Sequence, residues 1–174
     1  MGKNIYKNNE FGNNAMSTQE NHAVFMNLAL SEAEKAKLQN EVPVGAVLVD
    51  EKENIIASAH NMVITLSDPA AHAEILALRK ASGILANYRL LNTTLYVTIE
   101  PCIMCMGALI HARVKRVVYG AKDPKWGAAG SLYCFADDKR LNHHPVIIGD
   151  VCGKACSALI MDFFKAKRKI KQHI

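Results

Sequence analysis

The stretch Thr93-Thr94-Leu95-Tyr96-Val97-Thr98-Ile99-Glu100-Pro101-Cys102-Ile103-Met104-Cys105 decides the fold. Its first seven residues are β-branched, aromatic or leucine, which suits a strand. Pro101 then suits the first position of a helix, because its missing N–H would be unpaired there anyway. The helix runs from Pro101 to about Ala112, and Lys115 to Gly120 forms the next strand. Strand, helix and strand in that order make a right-handed crossover, which requires the two strands to be parallel.

Downstream, Ala121 to Ser131 holds one Pro and two Gly, so it reads as a loop. It leaves the carboxyl end of a strand, where open α/β sheets place ligands. A short strand at Val146–Ile148 and a helix from about Gly153 to Ile170 follow. Upstream, Val42–Asp50 and Asn54–His60 are apolar runs separated by Glu51-Lys52-Glu53, the pattern of an antiparallel hairpin. A helix is expected from Pro69 to Ser82, ended by Gly83, and an amphipathic helix from Thr18 to Leu38. Together these predict an α/β protein of three layers, α/β/α, with a mixed five-stranded sheet. Residues 1–16 are rich in Asn, Lys and Gly without apolar periodicity and are expected to be a disordered leader. Residues 17–174 are expected to be a single domain.

The chain has 174 residues, half of them hydrophobic, enough for one sizeable core. No apolar run could span a bilayer and no signal-peptide core is seen, so a cytoplasmic location without membrane contact is expected. Five cysteines in such a chain read as thiols and metal ligands rather than a disulfide frame. The net charge of +5 is concentrated at Lys165 to Lys171, which allows a polyanionic partner and equally allows a solvated helix face.

The chemistry gathers at His72-Ala73-Glu74 and Pro101-Cys102-Ile103-Met104-Cys105. Imidazole nitrogen and thiolate sulfur bind zinc, and a catalytic zinc site uses three protein ligands so that water can take the fourth position. His72, Cys102 and Cys105 supply that count. Cys102 and Cys105, three apart, share one helix face near the positive helix end, which favours thiolate. Two thiolates offset the charge of the ion and leave its water less acidic, so a nearby base is needed, and Glu74 is the candidate. A closed structural site is the alternative, and it would need a fourth ligand. Cys152 and Cys156, at helical spacing with His143 and His144 nearby, could form a second metal site or simply pack in a helix.

Several further segments complete a family pattern: Glu41-Val42-Pro43-Val44-Gly45-Ala46, Ala71-His72-Ala73-Glu74-Ile75, Asn87-Tyr88-Arg89-Leu90, Ile110-His111-Ala112-Arg113 and Gly127-Ala128-Ala129-Gly130-Ser131. With them the chain resembles the bacterial tRNA-specific adenosine deaminases of the cytidine deaminase-like superfamily. That resemblance implies hydrolytic deamination of adenosine to inosine at the wobble position of an arginine tRNA, by a homodimer with one Zn²⁺ per subunit. It assigns His72, Cys102 and Cys105 to the metal and Glu74 to proton transfer. It also implies substrate contacts from Asn61, Ala73, Asp123 and Ser131, and it makes the tRNA anticodon loop the partner. An Asn after a strand is otherwise a turn former. A small-molecule nucleobase or nucleoside deaminase, of guanine or cytidine type, would use the same zinc and glutamate.

The chain departs from the family pattern at Trp126, where a smaller residue is common, and at Asn142-His143-His144-Pro145, where an arginine is more usual. Trp126 could stack on a base or pack the loop. Met104, Met106, Leu109 and Ile110 offer an apolar surface, for a dimer or for the core. Phe163 and Phe164 are expected to anchor the last helix.

Overall fold

The computed structural model describes residues 11–171. Its elements are α1 (Phe11–Leu38), β1 (Gly45–Val49), β2 (Ile55–His60), α2 (Ala73–Leu85), β3 (Thr94–Ile99), α3 (Ile103–His111), β4 (Arg116–Ala121), the short 3₁₀ turn Phe135–Asp137, β5 (Val146–Ile148) and α4 (Gly153–Lys171). One five-stranded sheet runs in the order β2-β1-β3-β4-β5. β1 is antiparallel to both β2 and β3, whereas β3, β4 and β5 run parallel. The sheet is mixed, as expected, and the crossover through α3 is the parallel unit read from the sequence.

Strand side chains alternate between two cores. Ala46, Leu48, Leu95, Val97, Val117 and Tyr119 point to the face covered by α2 and α3, with Met106 and Leu109 among them. Val47, Val49, Tyr96 and Val118 point to the other face, against Phe25, Met26 and Ala29 of α1 and Cys156 of α4. Gly45 lets α1 press on the sheet: a Cβ there would collide with the Ala29 carbonyl and the Ala33 amide. The β1–β2 turn is built by Asp50, whose Oδ1 accepts the N–H groups of Lys52 and Asn54, both at 2.8 Å.

Helix boundaries differ from the sequence reading in instructive ways. α1 is already helical at Phe11, upstream of the expected Thr18, because extending an existing helix costs far less than nucleating one. Residues 1–10 of the expected leader lie outside the described residues, and 11–16 fall within α1. α2 starts at Ala73, after Asp68 has been used in a turn through its Oδ1 and the Ala70 N–H at 2.8 Å. It also runs through Gly83 and ends at Ala86, in the left-handed region at φ 49°, with the Asn87 N–H returning to the Ser82 carbonyl. Pro101 stays outside α3, since its carbonyl accepts the Ala128 N–H from the following loop and Cys102 is the N-cap. Met106, Leu109 and Ile110 are core residues, which leaves Ile103 and Met104 as the exposed apolar side chains of that helix. Phe163 is buried and Phe164 is exposed, so only the first anchors α4.

Candidate active site

The starts of α2 and α3 meet beside the carboxyl ends of β3 and β4. His72 caps α2 in an extended conformation, and Cys102 caps α3 in the same way, with Cys105 one turn on. The His72 Nδ1 lies 3.7 Å from the Cys102 Sγ and 3.5 Å from the Cys105 Sγ. A tetrahedral zinc with Zn–S near 2.3 Å and Zn–N near 2.0 Å separates N and S by about 3.5 Å, so these donors fit that ion in number, type and spacing. They form the only such three-residue group among the described residues. Hydrogen bonding from Cys105 draws the Cys102 thiol down to about 4, with His72 adding to it. Cys105, the donor, is pushed up, while its hydrogen bond to Cys102 raises His72. The arrangement thus favours the thiolate form at Cys102, the form in which sulfur binds a metal.

Glu74, in the first turn of α2, is 2% exposed. Burial, above all, lifts its carboxyl above the ordinary carboxylate range, opposed by its own backbone N–H and by the charge of His72. No ion pair among the described residues includes it. Such a carboxyl is suited to taking up and giving back a proton.

Glu74, His72 and Cys102 open on a mainly apolar cavity of about 720 Å³, whose walls include Val44, Asn61, Ile99, Met104, Asp123 and Trp126. Asn61, which is buried, donates from Nδ2 to the Glu41 Oε2 at 3.2 Å, so its Oδ1 is the free polar atom on that wall. Glu41, also fully buried, accepts the Thr65 N–H at 2.7 Å through its other oxygen. Trp126 stands at the mouth, 63% exposed, alongside the exposed Ile64.

Of the expected substrate contacts, Asn61 and Asp123 line this cavity, while Ala73 and Ser131 do not. The Ala73 side chain is fully buried in the core. Ser131 turns inward to Glu100, donating through both its N–H and its hydroxyl. One oxygen of the Asp123 carboxylate, Oδ1, is engaged within its own turn, where it accepts the N–H groups of Lys125 and Trp126. Cys152, Cys156, His143 and His144 do not assemble into a second metal group: His143 Nε2 meets the Val114 carbonyl and His144 Nδ1 the Ala136 carbonyl. Glu41 and Glu100 were missed as site residues. The available signal was their type, since each is an acid next to an apolar run where a buried strand begins or ends.

Residues 19–121 match the family model described as the cytidine and deoxycytidylate deaminase zinc-binding region. The chain is 50% identical over 147 residues to a tRNA-specific adenosine deaminase of Haemophilus influenzae, covering 84% of this chain and 85% of that one. It is 44% identical over 149 residues to the Bacillus subtilis tRNA-specific adenosine deaminase, covering 86% and 92%. Among solved structures, one from work on A-to-I editing by tRNA:A34 deaminases at the wobble position of transfer RNA superposes with a TM-score of 0.75. It is 41% identical, and the match covers 78% of this chain and 97% of that one. The shared fold, the His-Cys-Cys cluster with its buried glutamate and these identities place the chain in the tRNA-specific adenosine deaminase family, and it is a hydrolytic deaminase.

Proposed function

We propose that this protein converts adenosine to inosine at the wobble position of an arginine tRNA, with one zinc per subunit held by His72, Cys102 and Cys105. The observation that carries the reading is that the metal-binding cluster and the isolated Glu74 face one cavity large enough for a base and its ribose. When bound, zinc supplies Lewis-acid activation of water.

The chain's own residues do the remainder. Glu74 takes the proton from the water that adds to C6 of adenine and delivers it to the ring nitrogen N1. It then takes the proton of the new C6 hydroxyl and passes it to the departing amine as the C6–N bond breaks, so that water and adenosine become inosine and ammonia. Its burial raises its affinity for a proton, which suits the uptake step. Asn61 offers Oδ1 to the base, with its amide orientation set by Glu41. Val44, Ile99 and Met104 exclude water from the ring. Trp126 gives an exposed ring at the mouth on which a neighbouring base can stack. An anticodon loop suits this geometry because its bases are splayed without breaking a duplex.

The exposed Lys165, Arg168 and Lys169 of α4 supply positive charge for phosphates. The reading includes a single catalytic domain over residues 17–174 and a homodimer, to which the exposed Ile103 and Met104 can contribute. It also includes a cytoplasmic location, consistent with the absence, among the described residues, of a helix able to cross a membrane. The test is to incubate the purified protein with arginine tRNA carrying a wobble adenosine, and separately with adenosine, cytidine and guanine. Inosine in the tRNA is the expected product. Turnover of a free base or nucleoside alone would replace this reading with a small-molecule deaminase.

A further inference from the structure

Glu100 joins the metal cluster to the loop that closes the cavity. It lies between β3 and Cys102, and it is 1% exposed. Its Oε2 accepts the Asp123 N–H at 3.1 Å and the Ser131 hydroxyl. Its Oε1 accepts the N–H groups of Ala129 at 3.1 Å and Ser131 at 2.9 Å. Four donors, three of them backbone amides, therefore converge on one buried carboxylate. The loop between them is wrapped so closely that a Cβ on Gly127 would run into the Glu100 carboxyl and the Asp123 carbonyl. The same backbone is pinned to the cysteine side by a bridge between Cys102 and Gly127 and by the Ala128 N–H on the Pro101 carbonyl.

No cation pairs with Glu100 among the described residues. The amides take that place, as they do around a bound anion. Without this carboxylate, three N–H groups facing inward would have no acceptor, which is costly in a buried loop. Asp123 and Trp126, the cavity-lining residues of this loop, lie on the side held by Oε2.

We propose that Glu100 is a positioning residue for substrate: its carboxylate organises the Asp123–Ser131 loop from within and so sets where Asp123 and Trp126 meet the RNA. The RNA part rests on the function proposed above. Glu100→Gln is the informative change because it keeps the shape and replaces one acceptor with an N–H₂ donor. The Ser131 hydroxyl can turn and accept from that group. The Asp123 N–H cannot, so the disturbance falls on the turn that carries Asp123 and Trp126.

The test uses the zinc-loaded full chain of the wild type, Glu100→Gln and Ser131→Ala. Zinc content, acrylamide quenching of Trp126, and KM and kcat on an anticodon stem-loop RNA are measured together. Trp126 is the only tryptophan, so its quenching reports the loop whatever the substrate proves to be. For Glu100→Gln we expect full zinc content, stronger quenching and a roughly tenfold rise in KM with kcat within about twofold. Ser131→Ala, which removes one donor and creates no conflict, is expected to raise KM about two- to threefold. Wild-type quenching and KM in both variants would overturn the proposal, as would zinc loss or a fall in kcat without a change in KM in Glu100→Gln. If the wild type does not act on the RNA, the proposed function fails, and the quenching comparison still decides whether Glu100 orders the loop.

Discussion

Replacing Glu74 with Gln should make the protein more stable and nearly inactive, two effects of opposite sign from one substitution. The carboxyl is almost wholly buried and forms no ion pair among the described residues, so the charge of His72 offsets only part of the cost of removing it from water. Gln fills the same volume and carries no ionisable group. Relief of a poorly compensated buried polar group is worth about 1–3 kcal/mol. On the function proposed above, the same change removes the group that moves protons. General acid–base catalysis typically contributes about 10²- to 10⁴-fold, which corresponds to about 3–5 kcal/mol of barrier. The assay pairs urea unfolding of the zinc-loaded forms with single-turnover deamination, and zinc content is measured on the same samples. Turnover within tenfold of wild type would remove Glu74 from the proton path. A loss of activity accompanied by a loss of zinc would show that the carboxyl supports the metal site instead.

Cys105→Ala should leave two ligands of the original three, so zinc content should fall well below one per chain and activity with it, and the lost metal should appear as a lower unfolding midpoint. Tyr96→Phe removes the hydroxyl that lies 2.8 Å from the His22 Nδ1 on the sheet face away from the cavity; it should cost about 1 kcal/mol in urea unfolding and leave KM unchanged. Tight RNA binding should weaken with salt, and alanine at Lys165, Arg168 and Lys169 should flatten the log–log slope by about 2 if each cation meets a phosphate; an unchanged slope would exclude this run from the RNA contact.

How much of this could be read in the sequence depended on the range over which each residue acts. β3, α3 and β4 were legible because a buried strand, an apolar helix and a second strand each carry their own local period. The His72, Cys102 and Cys105 grouping was legible because His and Cys are the donor types suited to zinc, and the fold brings the three together at two helix starts. Boundaries failed where tertiary contacts outweigh local preference. Pro101 lies outside α3 because its carbonyl is claimed by Ala128, and α2 passes Gly83 because Ala86 and Asn87 close it further on. Ser131 was assigned to substrate by position within a run, but its hydrogen bonds go to a residue on another strand end. Glu41 and Glu100 stayed hidden for the same reason. Each is satisfied by donors from distant segments, Thr65 and Asn61 in one case and Asp123, Ala129 and Ser131 in the other.

Glu74 and Glu100 are both buried and both line the cavity beside His72 and Cys102, and their surroundings suit them to the different tasks proposed above. Four donors converge on the Glu100 carboxyl, so its oxygens are engaged by the loop. Glu74 has no such set, and burial raises its proton affinity. Donors added around Glu74 would stabilise its charge and slow the return of its proton, whereas donors removed from around Glu100 would release the loop without touching the chemistry. In the roles proposed above, proton transfer draws on an under-satisfied carboxylate and loop placement on a saturated one, so exchanging the two roles would require rebuilding the hydrogen bonds around each glutamate.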